Sequence, residues 1–244
     1  MTSSLPVDLQ PEPSGSGPAT STLTFRRGRW IDGWDPENKH QWQSEGKSIA
    51  KRNLTVSVFA EFFGFMMLGV WSIVVPNLPA AGFEYSTDQL YWLIAVPGLA
   101  GAAMRIGYTF MVPIFGGRNW TVISSLLLLI PAIGLAWAVS NPDTSFATML
   151  FVASLAGLGG GNFASSMVNI SFFYPQSEKG KALGINAAGG NLGTGIIQLV
   201  VPFIITTGAG VALNRAGLIF MPAAILSALA AYFVMHNLSN AHSD

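Results

Sequence analysis

The chain has no cysteine, which excludes disulfides, thiolate metal sites and a cysteine nucleophile. Charge is scarce. Asp, Glu, Lys and Arg make up 10% of its 244 residues, where a soluble domain carries about 25%. That shortfall points to lipid as the surrounding medium. Bases and acids cancel, 12 against 12, so charge gives no reason to expect a nucleic-acid partner. Histidine is scarce too. His40, His236 and His242 lie outside the membrane core and share no metal-ligand spacing, so neither a metal nor another cofactor is expected. No P-loop, Ser-His-Asp set or pair of carboxylates is visible, which leaves enzyme chemistry without a seat. Residues 1–22 are rich in Pro, Ser, Gly and Thr and lack the apolar stretch of a signal peptide, so a disordered tail is expected over 1–24.

What the sequence does have is long apolar runs. About 20 such residues cross a bilayer core. Six candidates stand at 54–76, 88–111, 120–139, 146–173, 181–206 and 216–236, joined by short connectors. The expected fold is all-α, a polytopic membrane bundle of six transmembrane helices over 54–236, ending in a tail at 237–244. The flank at 25–53 holds Arg26, Arg27, Arg29, Trp30, Trp34, Trp42, Lys47, Lys51 and Arg52. It reads as a solvated basic segment that sets topology, or alternatively as a membrane-surface helix anchored by its tryptophans. Lys and Arg gather in this flank, in the second connector (Arg118) and in the fourth (Lys179, followed by Lys181). That side is then cytoplasmic and holds both termini. Arg215 dissents.

Two charges fall well inside the spans, Arg105 and Glu61. Each costs about 2.5–3.5 kcal/mol near the bilayer centre, so the default reading of each is functional. Arg105 shares a helix face with Gly98, Gly101, Tyr108 and Thr109. Its planar fork suits a planar oxyanion; the bland alternative is a structural arginine paired with Glu61 or capping carbonyls. Glu61 lies about seven residues from the cytoplasmic end of its span, roughly 10 Å deep. It reads as a proton-coupling carboxyl or as a fixed partner of Arg105. Asn162, Ser166 and Asn169 fall on one face of the fourth span, with Phe163 beside it. Asn191, Thr194, Gly195 and Gln198 share a face of the fifth, and Asn186, Gly189, Gly190 and Gly193 add small residues beside them. Lipid cannot satisfy such groups, so they meet another helix or a polar solute.

The run Gly157-Leu-Gly-Gly-Gly-Asn-Phe-Ala-Ser-Ser-Met-Val-Asn-Ile-Ser-Phe-Phe-Tyr-Pro175 resembles the nitrate signature of the nitrate/nitrite porter family, the NarK-type branch of the major facilitator superfamily. Arg105-Ile-Gly-Tyr through Gly117-Arg118-Asn-Trp resembles that family's second span and loop. Lys181-Ala-Leu-Gly-Ile-Asn186 through Gly190-Asn191-Leu-Gly193 resembles its second signature, and Trp42 through Leu54 its approach to the first span. The resemblance covers about residues 30–236. It implies alternating-access transport of nitrate or nitrite in a bacterial-type cytoplasmic membrane. By motif position it makes Arg105 the substrate arginine, Phe163 the stacking aromatic, Gly160 the point of close approach and Asn191 the amide near the anion. Phe65 corresponds to a further pocket aromatic. Glu61 inherits no role. Family members have twelve spans, with a second arginine in the other half. Six spans here imply the N-terminal half of a carrier that needs a second half or self-association. A truncated non-transporting membrane protein and an anion channel are the competing readings.

Overall fold

The computed structural model describes residues 23–208 and 210–240. The expected tail therefore falls almost wholly outside the described residues, as does His242. Among the described residues, six helical rods are long and apolar enough to cross a membrane. They are span 1 (Lys39–Asn77), span 2 (Thr87–Thr109), span 3 (Gly117–Ala138), span 4 (Phe146–Phe173), span 5 (Gln176–Thr206) and span 6 (Asn214–Val234). The chain is thus a polytopic membrane bundle, as expected.

Local chemistry sets where the rods start and bend. Span 2 opens with a capping box, in which the Ser86 hydroxyl accepts from the Gln89 amide and the Gln89 side chain accepts from the Ser86 amide. Span 4 opens on Ser145, whose hydroxyl accepts from the Thr148 amide. Span 3 breaks between Leu127 and Leu129, and span 6 between Leu218 and Phe220. In each case a proline, Pro131 or Pro222, sits four residues after the last helical carbonyl, where its ring clashes with that carbonyl and offers no N–H.

Span 1 is the hub, packed against spans 4, 5 and 6. The Cα atoms of Gly64 and Gly159 let spans 1 and 4 touch backbone to backbone. A Cβ on Gly64 would lie 2.6 Å from the Gly159 carbonyl oxygen. Towards one end of the bundle, Met67, Trp71, Leu93, Leu135 and Phe220 form a buried apolar core. Spans 2 and 5 are the least covered, with Leu99, Ile106, Leu192, Leu199 and Phe203 all exposed on their outer faces.

The ends of the chain depart from the expectation. A three-stranded sheet forms from β1 (Thr24–Arg26), β2 (Trp30–Asp32) and β3 (Asn237–Leu238). β1 and β2 pair antiparallel, and β2 and β3 pair parallel. The segment read as a solvated flank is therefore folded, and the start of the expected C-terminal tail is a buried strand. Trp34 and Trp42 anchor in protein rather than in water or lipid. Their rings pack edge-on to Phe173 and Tyr174 at 5.2 and 5.5 Å, and the Trp42 indole donates to Glu178 at 3.0 Å. Residues 47–53 belong to the first long helix, which begins at Lys47.

Two arginines close the far end of span 6. Arg29 donates to the carbonyls of Phe233 (2.6 Å) and Val234 (3.2 Å), and Arg118 donates to that of Tyr232 (2.9 Å). The last carbonyls of a helix lack intrahelical partners and carry its negative end, so guanidinium groups satisfy both needs. Arg29 holds φ +61° in the β1–β2 turn to reach them. Arg118, read from sequence only as a topology-setting base, is in fact buried and also bonds the Gly28 carbonyl at 3.3 Å. Beside them the His236 amide donates to Asn53 Oδ1 at 3.0 Å. Burial, with Arg29, Arg52 and Arg118 nearby, pushes the His236 imidazole pKa down to about 4.

Candidate functional site

The small residues of span 4 bring span 2 close enough for an arginine to turn inward. A Cβ on Gly160 would sit 3.0 Å from the Gly101 Cα and 2.8 Å from Leu68 Cδ1. A side chain there would displace Leu68 and press on the Gly101 backbone. At that crossing Arg105 Nε donates to the Gly160 carbonyl at 3.3 Å, and its Cζ lies 4.9 Å from the centroid of the Phe163 ring. One edge of the guanidinium is thus tethered, and its face rests on an aromatic ring. The terminal nitrogens Nη1 and Nη2 make no hydrogen bond among the described residues. Phe163 in turn stacks on Phe65 of span 1 at 5.7 Å and 18°. Four expected site residues, Arg105, Gly160, Phe163 and Phe65, therefore meet at one place. An arginine fork backed by stacked rings can take a flat oxyanion in two parallel N–H···O bonds.

Two others stand apart. Asn162 turns to span 3, where its Oδ1 accepts from Ser124 at 3.0 Å and from Ser165 at 3.3 Å. Its amide is part of a buried packing contact. Asn191 is exposed on span 5, with its amide nitrogen donating to the Ala187 carbonyl of its own helix at 2.9 Å. Thr194, Gly195 and Gln198 continue this exposed stripe, and Gln198 donates to Ser72 at 2.8 Å.

Glu61 is fully buried behind Phe65, one turn earlier on span 1. It does not pair with Arg105. Among the described residues the ion pairs are Arg26–Asp32 at 2.6 Å and Lys47–Glu178 at 3.4 Å. Its partner is Ser166, whose hydroxyl lies 3.0 Å from Oε2 and accepts from Asn186 Nδ2 at 2.8 Å. Gly190 makes room for both span 1 side chains: a Cβ there would lie 2.9 Å from Glu61 Cγ and 2.7 Å from the Phe65 ring. The sequence placed Ser166 and Asn186 on polar faces without showing that both serve this carboxyl. Their spacing within one helix carries no signal of a partner on another. No trio of His, Asp or Glu side chains suited to a metal ion comes together among the described residues.

The bundle thus holds one tethered intramembrane arginine, Arg105, at the crossing of spans 2 and 4. Residues 57–242 match the Major Facilitator Superfamily, and the chain belongs to it. It is similar to the nitrate/nitrite transporter NarU of Salmonella typhimurium, with 42% identity over 229 residues, covering 88% of this chain and 50% of that protein. The Escherichia coli NarU is 42% identical over 226 residues, covering 86% and 49%. The probable nitrate/nitrite antiporter NarK2 of Thermus thermophilus is 44% identical over 183 residues, covering 75% and 41%. The chain spans about half the length of the curated relatives it matches. A solved structure of the proton:xylose symporter XylE, bound to 6-bromo-6-deoxy-D-glucose, superposes with a TM-score of 0.65 at 18% identity. That match covers 79% of this chain and 46% of XylE, and at this identity it speaks for the fold alone.

Proposed function

We propose that this chain forms one half of a carrier that moves nitrate or nitrite across the cytoplasmic membrane by alternating access. The observation that carries the reading is the Arg105 fork, tethered at Nε, backed by Phe163 and Phe65, and open at both terminal nitrogens. A trigonal anion presents two oxygens to such a fork and a flat face to a ring. The names of the similar transporters point to the same anions.

The half needs a complement. The exposed stripe of Asn191, Thr194 and Gln198 offers neutral hydrogen bonds at membrane depth, which hydrocarbon leaves unmet. A second six-helix body, or a second copy of this one, laid on spans 2 and 5 would cover that stripe. It would also place Asn191 beside the anion, with rocking of the two bodies opening the site to either side. Asn162 then supports span 4 rather than touching substrate. The starts of spans 1 and 5 share one side through Lys47–Glu178. With Arg118, Lys179 and Lys181 on that side, we place it and both ends of the described chain in the cytoplasm.

Arg105→Lys tests the site. It keeps the charge and loses the fork. Nitrate affinity of the purified protein, prepared with whatever second half accompanies it, should fall at least about tenfold, one charged hydrogen bond of about 1.5 kcal/mol. Unchanged affinity removes Arg105 from the site. In proteoliposomes, stimulation of uptake by nitrate on the far side is expected of a carrier and is absent in a channel.

A further inference from the structure

We infer that Glu61 is a proton-binding site coupled to the anion: it holds a proton when the anion is bound at Arg105. The inference rests on the transport reading and deepens it.

The argument begins with hydrogen counting. The Glu61 carboxyl is fully buried, and its Oε1 has no partner. Its Oε2 faces one donor, the Ser166 hydroxyl, at 3.0 Å. That hydroxyl has a single hydrogen and a second acceptor within reach, the Phe163 carbonyl, also at 3.0 Å. Asn186 Oδ1 is a further buried oxygen without a partner. The cluster is therefore short of hydrogens and rich in acceptors. An ionised carboxylate would sit there with one shared hydrogen bond and no ion pair, and burying such a charge is costly. A proton on Glu61 supplies the missing donor and removes the charge.

The electrostatic surroundings are simple. Spans 4 and 5 face Glu61 with neutral groups, Ser166, Asn186 and Gly190. Span 6, also packed on span 1, adds no charged side chain between Phe220 and Val234. Span 2 contributes Arg105, a positive charge over the Phe163 ring that stacks on Phe65, one turn from Glu61. An anion on Arg105 cancels the field of that charge and adds a negative charge of its own, so it favours protonation of Glu61. By reciprocity, a proton on Glu61 favours the anion by the same factor.

The geometry also gives the pair a mechanical link. Glu61 is one turn from Phe65, and Ser166 is three residues from Phe163, so both partners in the carboxyl hydrogen bond carry a ring of the stack under the guanidinium. When Glu61 is ionised, Ser166 donates to it. When Glu61 is protonated, Ser166 is released to the Phe163 carbonyl. The proton thus selects whether the hydroxyl holds Glu61 of span 1 or the Phe163 carbonyl of its own helix.

The experiment uses the purified carrier, with its second half present, in two arms. The first is infrared difference spectroscopy without nitrate. A carboxylic-acid C=O band that titrates in the wild type and is missing in Glu61→Gln is expected. The second is calorimetry of nitrate binding in buffers of different ionisation enthalpy. About one proton taken up per nitrate is expected in the pH range where Glu61 titrates, and none in Glu61→Gln, which mimics the protonated acid and should keep its affinity. Should Glu61→Gln fail to fold, Glu61→Asp must shift both the band and the pH of proton uptake. If the acid band survives in Glu61→Gln, or proton uptake is equal with and without Glu61, the inference is overturned. If the band behaves as expected and no nitrate binds at any pH, the transport reading fails while the proton site stands.

Discussion

The crossing of spans 1 and 4 invites a severe test. In Gly64→Ala the new methyl would lie 2.6 Å from the Gly159 carbonyl oxygen, where unstrained contacts begin at about 3.4 Å. The two helices must part by about 0.8 Å, because the obstacle is backbone and cannot rotate away. A gap of that size forfeits a quarter to a half of each contact across the crossing. A few tens of atom pairs, each contributing about 0.1–0.2 kcal/mol, then lose about 1–3 kcal/mol. Alanine's better helix propensity returns up to about 1 kcal/mol. The net expectation is a destabilisation of about 1–2 kcal/mol and, on the proposed function, weaker nitrate binding, because Gly160, the next residue on span 4, holds the tether of Arg105. Gly180→Ala is the control. It makes the same chemical change in a helix, and nothing lies within 4 Å of the new methyl. Thermal unfolding in detergent, read for both variants, decides. Gly64→Ala as stable as wild type, or Gly180→Ala equally harmed, would refute the close-approach argument.

Arg118→Ala should cost about 2 kcal/mol, because it leaves the Tyr232 and Gly28 carbonyls without their donor; earlier trypsin cleavage at Arg26 and Arg27 would report it. His236 carries a pKa of about 4 against an ordinary 6.5, so the unfolded chain binds more protons between those values. Stability is then full above about pH 6.5 and falls by up to about 1.4 kcal/mol per unit as the pH drops towards 4. His236→Gln should flatten that part of the thermal-unfolding profile, and an unchanged slope would assign acid sensitivity elsewhere.

Much of the site was legible in the sequence because its signals are one-dimensional. A lone arginine in an apolar run is conspicuous, and glycines two to four residues before an aromatic mark where a backbone approaches. Arg105, Gly160, Phe163 and Phe65 come together in the structure. Asn162 turns away from them to Ser124, because a helix face is wider than the place where those four meet. The pairing of Glu61 with Ser166 and Asn186 depends on three helices and is invisible to spacing within any one. The sheet was equally hidden. β3 is two residues long, and its partner β2 lies some two hundred residues earlier. Trp34 and Trp42 read as part of a solvated flank or, alternatively, as interfacial anchors, yet the ends of spans 4 and 5 offered Phe173, Tyr174 and Glu178 first.

The pairing of β2 with β3 has a consequence for how the bundle is made. The ribosome delivers Trp30–Asp32 long before Asn237–Leu238, and the strand between them is completed only after the sixth span has left the translocon. Until then Arg29 and Arg118 have no carbonyls at Tyr232, Phe233 or Val234 to hold, and the early segment must wait beside a partial bundle. Its closure marks the arrival of span 6: a chain stalled before that span keeps the segment open to proteases, and one that has added it pairs the segment's backbone. Quality-control machinery that reads exposed backbone at the membrane surface would therefore find, at a single place, the difference between a nascent and a completed six-span body.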